Sequence, residues 1–128
     1  MKPETKFLVV DDYLSMRRMV KSVLNDLGYS NVTEADDGST ALPLLRDGQF
    51  DFLITDWNMP GMPGLELLKA VRANARLAKL PVLMVTAEAK REQIVEAVQA
   101  GVNGYIIKPF TAEVLKEKLA KILNGAPK

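Results

Sequence analysis

Short continuous apolar runs alternate along the chain with longer stretches in which apolar residues recur every three or four positions. Phe7-Leu-Val-Val10, Phe52-Leu-Ile54, Val82-Leu-Met-Val85 and Tyr105-Ile-Ile107 are unbroken and partly β-branched, as strands covered on both faces of a parallel sheet require. Val32-Thr-Glu-Ala35 is weaker and reads as an edge strand. Between the runs the period changes. Met16, Val20, Val23 and Leu27 follow helical spacing, with Ser15 as the expected cap and Gly28 as the stop. Leu42 and Leu45 mark a short second helix that contains Pro43. Proline inside a helix costs about 3 kcal/mol, so this helix is expected to start between Ser39 and Leu42, leaving Pro43 in its first turn. Leu65, Leu68 and Val71 mark a third helix, and Ile94, Val98 and Gly101, with Ala97, a fourth. Leu115, Leu119 and Ile122 mark the last, with Thr111 as its cap and Glu113 in its first turn.

Parallel strands joined through helices need right-handed crossovers. The alternation therefore predicts an α/β fold: a doubly wound, five-stranded parallel sheet with five helices on its two faces. No linker, repeat or low-complexity tract interrupts it, so residues 1–128 are expected to form a single domain with no output domain. No stretch has the length of a membrane span, and the polar start Met-Lys-Pro-Glu-Thr-Lys does not read as a signal peptide. The expected location is cytoplasmic.

Composition narrows the chemistry. The formal net charge is +1, which gives no general attraction to nucleic acid or an anionic membrane. The chain has no Cys and no His. That excludes disulfides, thiol nucleophiles, imidazole bases, Ser-His-Asp triads and the usual zinc ligands. Carboxylates, hydroxyls, Lys, Arg, backbone groups and a hard metal ion remain.

In doubly wound sheets, ligands bind beyond the carboxyl ends of the strands. Asp11 and Asp12 follow the first strand, Asp56 ends the third, Thr86 ends the fourth, and Lys108-Pro109 follows the fifth. Each alone has an ordinary reading, as a helix cap, a turn residue or a solvated lysine. Their arrival at one sheet edge is harder to attribute to chance. With strand order 2-1-3-4-5 the three aspartates share a pocket, where two charges about 4 Å apart repel by roughly 4 kcal/mol at an effective dielectric near 20. Mg²⁺ answers this with oxygen ligands and keeps sites for a phosphate. Lys108 and the Thr86 hydroxyl can meet the same anion. The set reads as a phosphoryl site with a carboxylate nucleophile. A Gly-x-x-x-x-Gly-Lys phosphate loop is absent.

Phe7-Leu-Val-Val-Asp-Asp12, Ser15-Met-Arg-Arg18, Asp56-Trp-Asn-Met-Pro60, Leu80-Pro-Val-Leu-Met-Val-Thr-Ala-Glu-Ala-Lys90 and Gly104-Tyr-Ile-Ile-Lys-Pro-Phe-Thr111 together resemble the receiver domain of two-component response regulators, and within that family its chemotaxis branch. The resemblance implies the flavodoxin-like receiver fold, with Asp56 as phospho-acceptor and Lys108 and Thr86 on the phosphoryl oxygens. It implies one Mg²⁺ per chain on Asp11, Asp12, Asp56 and the Asn58 backbone carbonyl, and a cis Lys108-Pro109 bond. Asn58 and Glu88 would flank the water that removes the phosphoryl group. Thr86 would move toward that group and Tyr105 would turn inward. This would alter a partner surface drawn from Ala89, Lys90, Ile94, Val98, Tyr105, Ile107 and Lys118. The implied partners are a chemotaxis histidine kinase and the flagellar motor switch protein, with room for a dedicated phosphatase. Neither nucleic acid nor membrane is expected, and the chain would be a monomer. It would be a signalling switch rather than an enzyme, assisting its own phosphorylation and dephosphorylation.

Three positions depart from the family pattern. Pro63 replaces a capping residue at the third helix, Tyr13 stands where Phe is more usual, and Pro43 loosens the second helix. Two further outputs share the same chemistry: a phosphorelay intermediate and a phosphate sink. A metal-dependent phosphatase would need a general acid where Asn58 stands and an insertion long enough to cap a substrate. DNA binding would need a basic tail or an output domain.

Overall fold

The computed structural model describes residues 4–59, 61–87 and 90–125, without the side chains of residues 124 and 125. Five strands and five helices alternate: β1 (Phe7–Val10), α1 (Leu14–Asp26), β2 (Val32–Ala35), α2 (Gly38–Asp47), β3 (Phe52–Asp56), α3 (Gly64–Ala73), β4 (Val82–Thr86), α4 (Arg91–Gln99), β5 (Gly104–Ile107) and α5 (Ala112–Gly125). All strand pairings are parallel, in the order β2-β1-β3-β4-β5. Among the described residues, no helix is long and apolar enough to cross a membrane.

The strand pleat divides the apolar runs between two cores. Leu8 and Val10 of β1, Leu53 of β3 and Val82 and Met84 of β4 face Leu45, Leu67, Leu68, Val71 and Ala97 of α2, α3 and α4. Phe7, Val9, Phe52, Ile54, Leu83 and Val85 face the other way, onto Val20, Val23 and Leu24 of α1 and Leu115 and Leu119 of α5. This two-sided demand is why those runs are unbroken, since each successive side chain leaves water. The partly exposed Val32, Thr33 and Glu34 confirm β2 as an edge strand.

Helix ends differ from the sequence expectation in instructive ways. Ser15 does not cap α1. Tyr13 is the N-cap residue, with no side-chain cap bond. The Asp11 carboxylate accepts from the Tyr13 backbone N–H at 2.9 Å, so the chain turns before Ser15 and the helix starts at Leu14. Gly28 ends α1 as expected, at φ +97°, a conformation that side chains resist. α2 begins earlier than expected, at Gly38, because the Asp37 side chain accepts from the Thr40 N–H at 2.8 Å. Pro43 therefore falls in the second turn, where its ring removes the bond to the Ser39 carbonyl. Ser39 is exposed, so water can serve that oxygen. Pro63 is the N-cap of α3, one position before the first helical residue, and makes no cap bond. Thr111 does cap α5, accepting from Val114 N–H at 3.2 Å.

Candidate functional site

The register places the acids. Val10 of β1 pairs with Thr55 of β3, so Asp11 and Asp56 leave adjacent strands at the same edge. Both are buried, at 2% and 4% relative exposure, whereas Asp12 is exposed. One carboxylate oxygen from each of Asp11, Asp12 and Asp56 lies within 4.8 Å of the others. Lys108 follows β5 and is anchored by its backbone N–H, which donates to the Thr86 carbonyl at 2.7 Å. Its long side chain reaches past β4 to set Nζ 3.2 Å from Asp11 Oδ2 and 3.3 Å from Asp56 Oδ1. The Lys108–Pro109 bond is cis. Thr86 ends β4 and is buried at 4%.

These groups border a cleft of about 500 Å³ lined by Asp12, Tyr13, Asp56, Asn58, Met59, Pro63, Ala87 and Lys108. Burial and the charge of Asp11 raise the Asp56 carboxyl to about 6, against the opposing pull of Lys108. Burial alone would lower the Lys108 ammonium, but Asp56 and Asp11 outweigh it and hold that group above its ordinary value. Among the described residues Lys108 is the cation paired with Asp56, and it leaves that carboxylate short of compensating charge. An all-oxygen set around a charge deficit fits a hard divalent cation and suits neither zinc nor copper. The donors are therefore compatible with Mg²⁺.

Several supporting contacts were not evident from the sequence. Arg17 Nη1 donates to the Asp11 carbonyl at 2.6 Å, and its Nε donates to Glu34 Oε1 at 3.1 Å. Arg17 thereby ties the β1–α1 turn to the edge strand. The Tyr13 ring lies 5.6 Å from Lys108 Nζ. A Cβ on Gly64 would collide with the Asp56 backbone carbonyl, so α3 begins against the main chain of Asp56. A basic residue at helical spacing after the acids was the signal for Arg17. The Gly64 requirement depends on a close approach that no local pattern encodes.

The remaining expected residues are distributed around this edge. Asn58 lines the cleft. Thr86 and Tyr105 both border a second, small cavity behind the site, together with Trp57. Tyr105 is half-buried on β5, and Lys118 Nζ sits 5.5 Å from its ring. Val98 is 60% exposed and Ile107 41%, while Lys90 is exposed and Ile94 half-buried. Val98 therefore belongs to the surface and not to the apolar seat of α4, where only Ala97 is fully buried. Glu88 and Ala89 lie outside the described residues.

Residues 7–120 match the family model described as response regulator receiver domain. The chain is 69% identical over 119 residues to "Chemotaxis protein CheY" of Pseudomonas aeruginosa, covering 93% of this chain and 96% of that protein. It is 68% identical over 119 residues to "Chemotaxis protein CheY-3" of Vibrio cholerae, covering 93% and 92% of the two chains. Among solved structures, chemotaxis response regulator CheY4 of Vibrio cholerae is similar at TM-score 0.87 and 40% identity, over 93% of this chain and 98% of that one. A response regulator from Chloroflexus aurantiacus is similar at TM-score 0.88 and 36% identity, over 96% and 99%.

Proposed function

This chain belongs to the response regulator receiver domain family, in its CheY-type chemotaxis branch, and we propose that Asp56 is the residue through which it receives its signal. The observation that supports this most directly is a buried carboxylate at the end of β3 with Lys108 Nζ 3.3 Å away and two further carboxylates beside it. Asp56 Oδ attacks phosphorus on the phosphohistidine of a chemotaxis kinase. The new O–P bond forms as the P–N bond breaks, and the electron pair leaves with the kinase imidazole. The chain has no His of its own, so the donor lies on the partner.

Asp11, Asp12, Asp56 and the Asn58 carbonyl would hold Mg²⁺, which supplies the positive charge that lets a phosphoryl dianion enter a carboxylate pocket. Lys108 holds a point charge over the incoming oxygens, while Asp11 and Tyr13 keep it in place. Thr86 offers its hydroxyl from the end of β4. Asn58 and Glu88 tune the attack of the water that later cleaves the acyl phosphate. The added charge of about −1.5 to −2 draws Thr86 toward the phosphoryl group and lets Tyr105 turn inward. The surface around Lys90, Ile94, Val98, Ile107 and Lys118 then changes its affinity for the flagellar motor switch protein. This is a cytoplasmic role, carried out by a monomer.

Intact-mass measurement after incubation with acetyl phosphate and Mg²⁺ tests the assignment. One labile phosphoryl addition is expected, absent from Asp56→Asn and absent without the metal. Equal labelling of Asp56→Asn would refute it. Retention of the phosphorylated chain on immobilised motor switch protein, against none for the unphosphorylated chain, tests the output.

A further inference from the structure

The β3–α3 connection forms one wall of the cleft, to which it brings Asn58, Met59 and Pro63. Its feet are closed by backbone bonds. The Trp57 N–H donates to the Val85 carbonyl at 2.7 Å, and the Gly64 N–H to the Trp57 carbonyl at 2.9 Å. Its apex is backed by a different element, the N-terminus of α2. A Cβ on Gly38 would lie 2.6 Å from the Met62 carbonyl oxygen and 2.8 Å from the Met62 Cβ. No side chain fits so close to a backbone oxygen, so the two main chains meet here as only a glycine allows. Gly61, at φ +78°, faces the same helix start: a Cβ there would lie 3.0 Å from Ser39 Oγ.

The backing element is itself fixed. Asp37 accepts from the Thr40 N–H at 2.8 Å, and Asp36 accepts from the Thr40 hydroxyl at 3.1 Å. Ala41, Leu42 and Leu45 hold α2 in the core. Just upstream, the Ala35 carbonyl accepts from the Asp11 N–H at 3.1 Å. The β2–α2 turn is thus joined to the main chain of the acid pocket on one side and pressed against Met62 on the other. The Asn58 carbonyl has no rotamer of its own and is aimed only by the main chain around it. Mg²⁺ demands near-ideal octahedral geometry, so a displaced carbonyl is a poorer ligand. We propose that Gly38 is a positioning residue for the metal site: the start of α2 buttresses the β3–α3 connection and thereby aims the Asn58 carbonyl at the cation.

The inference rests on the assignment of that carbonyl to Mg²⁺, and the experiment separates the two. Mg²⁺ is titrated calorimetrically into the native chain, Gly38→Ala, Met62→Ala and Gly48→Ala, with urea unfolding in EDTA to measure the stability of each. Gly48 follows the other end of α2, and a Cβ there would also collide, 2.8 Å from the Phe50 ring and 2.9 Å from the Leu44 carbonyl oxygen. It supplies comparable strain without the contact to the cleft wall. Met62→Ala shortens the side chain that rests on α2 and adds no clash, so it reads the same support even if Gly38→Ala does not fold. The Kd for Mg²⁺ is expected to rise about tenfold in Gly38→Ala, to rise less in Met62→Ala, and to stay within about twofold of native in Gly48→Ala. An unchanged Kd in whichever of Gly38→Ala and Met62→Ala fold overturns the role of α2 and leaves the metal assignment standing. So does a Kd that rises equally in Gly48→Ala, which would make the effect one of general stability. A native chain that binds no Mg²⁺ overturns the metal assignment and the inference with it.

Discussion

Replacing Asp56 by asparagine should stabilise the metal-free protein while removing the proposed phospho-acceptor. The carboxyl sits 4% exposed beside Asp11, and burial followed by that neighbouring charge raises it from 3.8 to about 6. A folded-state value above the unfolded one means that the unfolded chain loses this proton first. Its contribution to stability is thus present below about pH 4, declines as pH rises through about 6, and stays lost above. At 1.36 kcal/mol per pH unit, the ionised group costs the fold about 3 kcal/mol at neutral pH. Asparagine does not ionise, and its Oδ1 can still accept from Lys108. Its Nδ2 needs a partner that the carboxylate did not, so the net gain is expected at about 1–3 kcal/mol. Urea titrations of both proteins at pH 7.5 in EDTA should show a higher midpoint for Asp56→Asn with an unchanged slope. Repeated toward pH 4, the two curves should converge, since titrating groups outside the pocket cancel in the difference. A variant that is no more stable at pH 7.5, or a gap that fails to shrink on acidification, would refute the charge-deficit account of the site.

Mg²⁺ should stabilise the native chain by about 1.4 kcal/mol when present at ten times its Kd, and Asp56→Asn much less, read by thermal unfolding with and without EDTA. Gly64→Ala should cost at least about 2 kcal/mol, because its methyl meets the Asp56 main chain; chemical denaturation measures this, and a neutral result would mean that α3 can retreat from β3. Arg72 donates to the Leu80 carbonyl at 2.6 Å, the Gly101 carbonyl at 2.7 Å and Asn103 Oδ1 at 2.9 Å. Arg72→Met should therefore lose about 2–4 kcal/mol, with faster amide exchange in the α4–β5 connection as its local signature.

The sequence carried the fold because a sheet buried on both faces writes itself as unbroken apolar runs. The same runs fixed where each strand ends and therefore where Asp11, Asp56, Thr86 and Lys108 emerge. Helix starts were less legible. The turn before α1 is set by Asp11 taking the Tyr13 N–H, a contact belonging to the acid pocket, so Ser15 was a plausible but unused cap. At α2 the Asp37 cap outweighed the presence of Pro43, since one satisfied helix end and three core residues, Ala41, Leu42 and Leu45, exceed one missing backbone bond. Val98 kept helical spacing yet faces solvent, because α4 seats mainly through Ala97. Contacts made by long side chains across the molecule, such as Arg72 on the Gly101 carbonyl, have no periodic trace at all.

Lys108 and Asp11 touch across 97 positions of sequence. The pocket's cation comes from nearly the last strand–helix connection to be synthesised, and its buried acid from the first. A nascent chain that has emerged only as far as β4 carries the aspartates without their lysine. On the proposed function, competence to be phosphorylated is thereby tied to completion of the sheet.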